Sequence, residues 1–280
     1  MESSLAQTTG EVLEGNPVER RGVSRWQALF IVAIIIFITA SEYVFAYQNV
    51  ALGIVLALAL AIGIYFILSI LPFDQRITDC GEGLALIPLY ILFTSSLPWF
   101  FINQQYLLPA VYSCILALCL WHVYQKNLSL KKIFRFQKSQ LLKYTLLGIA
   151  IGIPTGIVEY LVLRISPAFP TFEIKYLLRD MVYMFIFVGI GEELLFRGFI
   201  QRDLTETFGW KWGLFGASVL FAVMHLGWRS IPEIGFVFVA ALILGALYLK
   251  TKSLVAPIVA HGMNNVMLVG VLPYIFMRWQ

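Results

Sequence analysis

The sequence carries little charge for its length. Only 13% of its 280 residues are Asp, Glu, Lys or Arg, and 60% are hydrophobic, whereas an average soluble domain is about 25% charged. A chain of this size has too small an interior to bury so much apolar surface, and lipid is the remaining environment for it. The composition therefore excludes a soluble globular protein, a disordered chain and a nucleic-acid-binding protein, although the formal net charge is +4.

Cysteine is also scarce, and its spacing does not suggest metal binding. The three cysteines, Cys80, Cys114 and Cys119, lie in or beside apolar runs, where free cysteine packs as a small hydrophobic residue. No HExxH zinc motif is present. The first 25 residues are polar, and the apolar run after them is too long for the core of a signal peptide. We expect residues 1–25 to form a polar tail and the following run to remain as a membrane anchor.

Long apolar runs recur along the rest of the chain. A membrane-spanning helix needs about 20 mostly apolar residues, because helices and closed barrels alone satisfy the backbone in lipid. The runs cover residues 26–46, 50–71, 84–101, 107–124, 144–163, 181–200, 213–228, 234–249 and 254–276. They predict an all-α polytopic membrane protein with about 8–9 transmembrane helices, in which the shorter runs could be re-entrant. Pro88 and Pro98 make the third run the least certain.

The basic residues predict an orientation. If the N-terminus is cytoplasmic, most Lys and Arg of the loops fall on the cytoplasmic side, as the positive-inside rule requires. The most basic segment, residues 125–143, is either an amphipathic helix on anionic lipid or, more simply, a positive-inside loop. This basic amphipathic loop separates an N-terminal membrane region at 26–124, of about four helices, from a C-terminal core at 144–280.

Charged groups inside a span are expensive and therefore point to function. The sixth run contains adjacent glutamates, Glu192 and Glu193, followed by Arg197. Glu193 and Arg197 are four residues apart and can pair on one helix face, while Glu192 points about 100° away, where it can face a cavity. A structural ion pair is the alternative, but one arginine does not neutralise two carboxylates. We expect Glu159, late in the fifth run, to be interfacial.

Two of the three histidines stand in the later apolar runs. His225 lies near the end of one predicted helix and His261 well inside the last one, four residues before Asn265 on the same helix face. A histidine and an amide supply donors that can stabilise an oxyanion. Hydrogen bonding between helices is the alternative. We expect His122, beside Trp121, to be interfacial without a special role.

Three short motifs resemble those of a known family. Residues 192–198 (EELLFRG) resemble the EExxxR motif of the CPBP family, the CAAX-protease and bacteriocin-processing or Abi group of intramembrane proteases. Residues 221–225 (FAVMH) resemble its FxxxH motif, and residues 261–265 (HGMNN) its HxxxN motif. Each motif alone is weak, but all three occur in the family's order on separate apolar runs. The resemblance covers roughly residues 181–276.

The resemblance implies peptide-bond hydrolysis by residues of a C-terminal helical bundle. Glu192 with His225 would activate water, and His261 and Asn265 would bind the oxyanion of the tetrahedral intermediate. Glu193 and Arg197 would hold Glu192 in place. The family has been described both as metal-dependent and as glutamic-type. We expect no cofactor, and a divalent metal such as zinc is the alternative, since two histidines and a glutamate could form a ligand set.

The resemblance also implies a substrate and a location. The expected partner, besides the lipid bilayer, is a membrane-associated or lipid-anchored peptide or protein, such as a prenylated CAAX protein or a bacteriocin-like peptide. The expected location is a bacterial cell membrane, with several spans and a cytoplasmic N-terminus. Two other functions fit the sequence: a non-catalytic immunity or scaffold protein that keeps the motifs, and a proton-coupled transporter that uses the same carboxylates.

Overall fold

The computed structural model describes residues 23–95 and 104–277, and its regular secondary structure there is entirely helical. Most of the predicted N-terminal tail and Pro98 lie outside the described residues. The first five α-helices are α1 (Arg25–Tyr43), α2 (Val50–Ile70), α3 (Gln75–Ser95), α4 (Gln104–Gln125) and α5 (Leu130–Phe134). The later ones are α6 (Leu141–Leu163), α7 (Ile174–Val182), α8 (Ile190–Glu193), α9 (Arg202–Phe208), α10 (Trp210–Val223), α11 (Ile231–Thr251), α12 (Val255–Asn265) and α13 (Leu272–Met277).

Four π-helical segments extend or join these helices. They are Val44–Gln48, Tyr183–Gly189, Leu194–Gln201 and Val266–Val271. Two of them join α7, α8 and α9 into one continuous helix over residues 174–208, which we name the glutamate helix because it carries Glu192 and Glu193. Helical segments of π type are rare and often occur at functional sites.

Seven helices of the described part are long and apolar enough to cross a membrane. They are Arg25–Gln48, Val50–Ile70, Gln75–Ser95, Tyr106–Gln125, Leu130–Leu163, Ile231–Thr251 and Val255–Phe276. Pro88 lies inside the third of them without ending it. The predicted all-α polytopic membrane protein is thereby confirmed.

Two predicted runs are missing from these seven helices. The run at 181–200 lies in the glutamate helix, and the run itself contains three charged side chains, Glu192, Glu193 and Arg197. The run at 213–228 coincides with α10, which has only 14 residues. Length and composition therefore give fewer spans than the predicted number. The two segments that fall short are those that carry the first two motifs.

The basic segment is a loop with two short helical pieces. Only Leu130–Phe134 is α-helical, and Lys138–Gln140 forms one 3-10 turn. Ile133 is buried in the core, and the Ser253 hydroxyl donates a hydrogen bond to the Phe134 carbonyl oxygen at 3.1 Å. The loop is therefore tied to the start of α12, and the alternative of one long surface-lying helix is wrong.

The glutamate helix packs against the N-terminal helices in one large core. α1, α3 and α4 contribute Ile31, Leu84 and Ile115, and the glutamate helix and α10 contribute Phe199 and Leu220. A Cβ atom added at Gly191 would lie 3.7 Å from the Tyr112 carbonyl oxygen of α4. Among the first four helices, α3 and α4 therefore pack directly against the glutamate helix.

A row of glycines brings α6 against α12. Gly148, Gly152 and Gly156 are four residues apart, so they lie on one face of α6. A Cβ atom at Gly148 would lie 2.6 Å from the Val259 Cβ, and one at Gly156 would lie 2.6 Å from the Asn264 carbonyl oxygen. Small residues at this spacing let membrane helices approach closely. This contact places residues near the end of α6 beside Asn264.

We expect Gly156→Leu to destabilise the protein by about 1–3 kcal/mol or more, because the new side chain overlaps the α12 backbone. The matched control is Gly63→Leu in α2, where an added Cβ atom meets nothing within 4 Å. Thermal unfolding of the two purified variants in the same detergent checks this. Equal melting temperatures for both variants would contradict the close contact between α6 and α12.

Candidate active site

A small cavity lies between the three helical regions that carry the predicted site residues. Its volume is about 60 Å³, and its lining includes Glu192, His225, His261 and Asn265. These residues come from α8, from the turn after α10 and from α12. The structure therefore brings four of the six predicted site residues to one space.

The other two predicted residues, Glu193 and Arg197, lie next to the cavity and are fully buried. The Arg197 Nη1 donates to Glu193 Oε1 at 2.7 Å, so the predicted pair four residues apart is confirmed. Arg197 Nη2 donates to the Ala241 carbonyl oxygen of α11 at 3.2 Å. The guanidinium also lies 4.6 Å from the centre of the Phe221 ring. Three parts of the fold thus fix this arginine, which in turn holds Glu193.

His261 contacts both glutamates. Its Nδ1 lies 2.8 Å from Glu193 Oε1, and its Nε2 lies 3.7 Å from Glu192 Oε2. Glu193 as a carboxylate can only accept a hydrogen bond, so Nδ1 of His261 is the donor. Donation to an oxyanion from the same ring therefore requires a proton on Nε2 as well.

The backbone of its own helix fixes the orientation of the His225 ring. Its Nδ1 lies 2.8 Å from the Phe221 carbonyl oxygen, and because a carbonyl oxygen only accepts, Nδ1 carries the proton. In the neutral ring, Nε2 is then the acceptor. An acceptor nitrogen on a residue that lines the cavity is the form needed to take a proton from water.

Phe221 links the arginine and both histidines. Its ring stacks on His225 at 4.9 Å between centres and meets His261 edge-on at 5.7 Å. It also carries the contact with Arg197 described above. The phenylalanine of the FxxxH motif therefore packs at the junction of the other motifs, a role that the sequence did not assign to it.

Asn265 and its neighbour complete one side of the cavity. The Asn264 amide nitrogen donates to Asn265 Oδ1 at 3.2 Å, so the Asn265 amide nitrogen is the group that can donate to a ligand. The Asn264 amide also donates to Glu159 Oε2. Glu159 is 7% exposed and lines the cavity. The glycine contact between α6 and α12 thus buries Glu159 beside Asn264, a packing position that the sequence did not predict.

The sequence analysis missed two further residues, Tyr112 beside Glu192 and Glu233 beside Glu159. The Tyr112 hydroxyl of α4 donates a hydrogen bond to the Glu192 carboxylate, and Tyr112 lines the cavity. Glu233, in the first turn of α11, is fully buried and meets the carboxyl group of Glu159. No spacing rule connects either residue to the motifs, because the contacts depend on how distant helices pack.

His122 lies elsewhere. It is 2% exposed, and its ring packs edge-on against the Phe199 ring at 4.9 Å between centres. His122 is part of the core on the other face of the glutamate helix and is not among the residues that line the cavity.

A metal site, the predicted alternative, needs at least three His, Cys, Asp or Glu side chains close together. Within residues 23–95 and 104–277, no group of three or more His, Cys, Asp or Glu side chains is placed to hold a metal ion. Nδ1 of His225 and Nδ1 of His261 are both engaged in hydrogen bonds, so Nε2 of each ring is the nitrogen that a metal would use.

Comparison with known proteins gives one match. Residues 175–267 match a family described as Rce1-like, type II CAAX prenyl endopeptidase, which confirms the resemblance to CPBP membrane proteases for this part of the chain. All six predicted site residues and Glu233 lie inside the match, whereas Tyr112 and Glu159 precede it. No curated protein and no solved structure matches the chain. The match supports a membrane endopeptidase in general.

Proposed function

Because residues 175–267 match the Rce1-like CAAX prenyl endopeptidases, we propose that this protein is an intramembrane endopeptidase of glutamic type. It hydrolyses a peptide bond of a membrane-associated peptide or protein. The observation that carries the proposal is the cavity that unites Glu192, His225, His261 and Asn265. The hydrolysis of an amide by water needs a carboxylate, an imidazole and two hydrogen-bond donors around one cavity.

Glu192 and His225 activate the attacking water. A cavity of about 60 Å³ has room for one or two water molecules, each of which takes up about 30 Å³. Glu192 accepts a proton from the water as the water oxygen attacks the peptide carbonyl carbon. The acceptor Nε2 of His225 accepts a hydrogen bond from the same water molecule. The proton then passes to the leaving amine, and the products are a new carboxyl terminus and a new amino terminus.

His261 and Asn265 stabilise the tetrahedral intermediate. The two residues lie one helical turn apart in α12 and both line the cavity. Two donors aimed at the developing oxyanion are worth most when they are fixed beforehand in a dry site. The Nδ1 contact with Glu193 holds the His261 ring in place, and Glu193 is in turn held by Arg197. Glu193 and Arg197 act as positioning residues.

The substrate enters from the membrane. The cavity of about 60 Å³ holds the water and the bond that is cut, and movement of the helices around it admits the rest of the peptide. The surrounding apolar helices favour a membrane-associated or lipid-anchored peptide. We place the protein in a bacterial cell membrane with a cytoplasmic N-terminus, which the distribution of basic residues supports.

Peptide cleavage by the reconstituted full-length protein tests this function. Vesicles containing wild-type protein are incubated with matched peptides that differ only in a C-terminal prenyl-cysteine segment, and the products are identified by mass spectrometry. We expect cleavage, with the prenylated peptide cut faster. No cleavage of any membrane peptide would contradict the proposal and favour an immunity or scaffold protein, and solute uptake without cleavage would favour a transporter.

Metal dependence is tested in the same vesicles. The proposed mechanism routes no step through a metal, so we expect the cleavage rate to change by less than about twofold after dialysis against a strong chelator, against a fall of about 10²-fold or more for an enzyme that needs a metal-bound water. Recovery on addition of zinc after such a fall would contradict the metal-free mechanism.

A further inference from the structure

A second group of acidic and amide side chains lies beside Glu192 but takes no part in the mechanism above. It consists of Glu159 from α6, Glu233 from α11 and Asn264 from α12, and we name it the acidic cluster. Two of its members, Glu159 and Asn264, line the cavity, and the third, Glu233, interacts with Glu159. The Asn264 amide donates a hydrogen bond to Glu159, and the carboxyl groups of Glu159 and Glu233 interact with each other. Three helices converge to build it.

The acidic cluster is buried, and several of its hydrogen-bond acceptors have no donor. Glu233 is 0% exposed, Glu159 7% and Asn264 9%. Both carboxylate oxygens of Glu233 and Oδ1 of Asn264 are buried with no hydrogen-bond partner. Leaving buried acceptors unsatisfied is costly, so the arrangement lacks a group that donates several hydrogen bonds.

No lysine or arginine among the described residues pairs with this cluster. None of the ion pairs among the described residues includes Glu159 or Glu233. Arg229, which precedes α11, donates instead to the Ala46 carbonyl oxygen at 2.8 Å and lies over the Tyr47 ring. Buried glutamates in membrane proteins are normally paired, so two of them without a lysine or arginine partner point to a function.

The missing group has a recognisable chemistry. An ammonium offers three donors and a guanidinium five, with no acceptor of their own, so either satisfies several of these oxygens and supplies the missing positive charge. Glu159 and Asn264 line the cavity together with Glu192. A cation that reaches the cluster from a bound peptide therefore belongs to a residue close to the bond that is cut.

We propose that the acidic cluster is a specificity subsite that binds an ammonium or guanidinium group of the peptide substrate, either a Lys or Arg side chain or a free amino terminus. This inference rests on the proposed function, since it names the class of substrate for the same cavity. The cluster selects and orients the peptide, and Glu192 carries out the chemistry.

Peptide binding tests the subsite without relying on turnover. Fluorescent peptides carrying Lys, Arg or uncharged norleucine at each position in turn, with a free or an acetylated amino terminus, are titrated into vesicles of Glu192→Gln protein. We expect one basic position, or the free terminus, to lower the Kd by about tenfold or more relative to its uncharged match. Adding Glu159→Gln or Glu233→Gln should abolish that difference, whereas Glu206→Gln, at an exposed position, should preserve it.

The same peptides are then cleaved by protein with Glu192 intact, and the ratio of kcat/KM for the basic and the uncharged peptide is compared. A charge preference that Glu159→Gln and Glu233→Gln leave unchanged, or the lack of any preference at every position, would overturn the subsite. Either result is expected if the carboxyl groups of Glu159 and Glu233 only share a proton and bind no cation of the substrate. Charge-selective binding without cleavage would leave the subsite standing and refute the proposed function, whereas cleavage without charge selectivity would do the reverse.

Discussion

Glu192→Gln should lower kcat for peptide cleavage by about 10²–10⁴-fold, the usual contribution of a general base. The substitution keeps the size of the side chain and its ability to accept a hydrogen bond from Tyr112, but the amide cannot take a proton from water. Glu192 has no ion pair as close as that of Glu193, since its nearest charged partner is His261 at 3.7 Å. The fold should therefore survive the change.

Initial cleavage rates in vesicles with equal amounts of folded protein measure this effect. The control is Glu173→Gln, which removes a carboxylate of an exposed pair with Lys175, outside the cavity. We expect the control to cleave at the wild-type rate and to unfold at the same temperature as Glu192→Gln. His225→Ala should lower kcat within the same range. A Glu192→Gln variant with wild-type kcat would remove the general base from the mechanism.

Glu193→Gln should act on stability instead and lower the free energy of unfolding by about 3–5 kcal/mol. Arg197 is 1% exposed and Glu193 0%, so removal of the negative charge leaves a buried guanidinium without its carboxylate. The Ala241 carbonyl oxygen and the Phe221 ring cannot replace a full charge. Denaturant unfolding of the purified protein in mixed micelles gives the free energy.

Two further variants distinguish an unpaired charge from a general loss of packing. Glu193→Leu combined with Arg197→Leu removes both charges and should recover much of the lost stability, because a buried ion pair replaced by apolar residues is often close to neutral. Lys175→Gln breaks the exposed pair with Glu173 and should cost only about 0–1 kcal/mol. If Glu193→Gln were as stable as Lys175→Gln, the buried pair would not support the site.

Local spacing was enough to predict the part of the site that lies within one helix. Residues four apart share a helix face, which gave the Glu193–Arg197 pair, and a step of about 100° turned Glu192 toward the cavity. The same reasoning placed His261 and Asn265 together in α12. The resemblance added His225 to these residues, and the cavity contains it as well.

The rest of the site depends on how helices pack, which spacing does not encode. Tyr112 reaches the cavity from α4, far from the motifs in sequence, and Glu233 of α11 interacts with Glu159. Glu159 lies three residues after Gly156, at the end of a glycine row that predicts close helix contact. That row explains why Glu159 is buried beside Asn264.

The ends of the helices were the other feature that the sequence did not predict. The sequence put His225 near the outer end of a span. In the structure α10 ends at Val223, and His225 lines the cavity from the turn that follows. The run at 213–228 is apolar enough to look like a span, but its α-helix has only 14 residues.

The origin of the new carboxyl oxygen and its dependence on Glu192 test the account most directly. Wild-type protein and Glu192→Gln are each incubated with one peptide in ¹⁸O-labelled water, and mass spectrometry measures the amount and the mass of the new carboxyl-terminal product. We predict that wild-type protein yields product with one water-derived ¹⁸O, and that Glu192→Gln yields no product above the peptide in empty vesicles. Labelled product formed by Glu192→Gln at the wild-type rate would contradict the account.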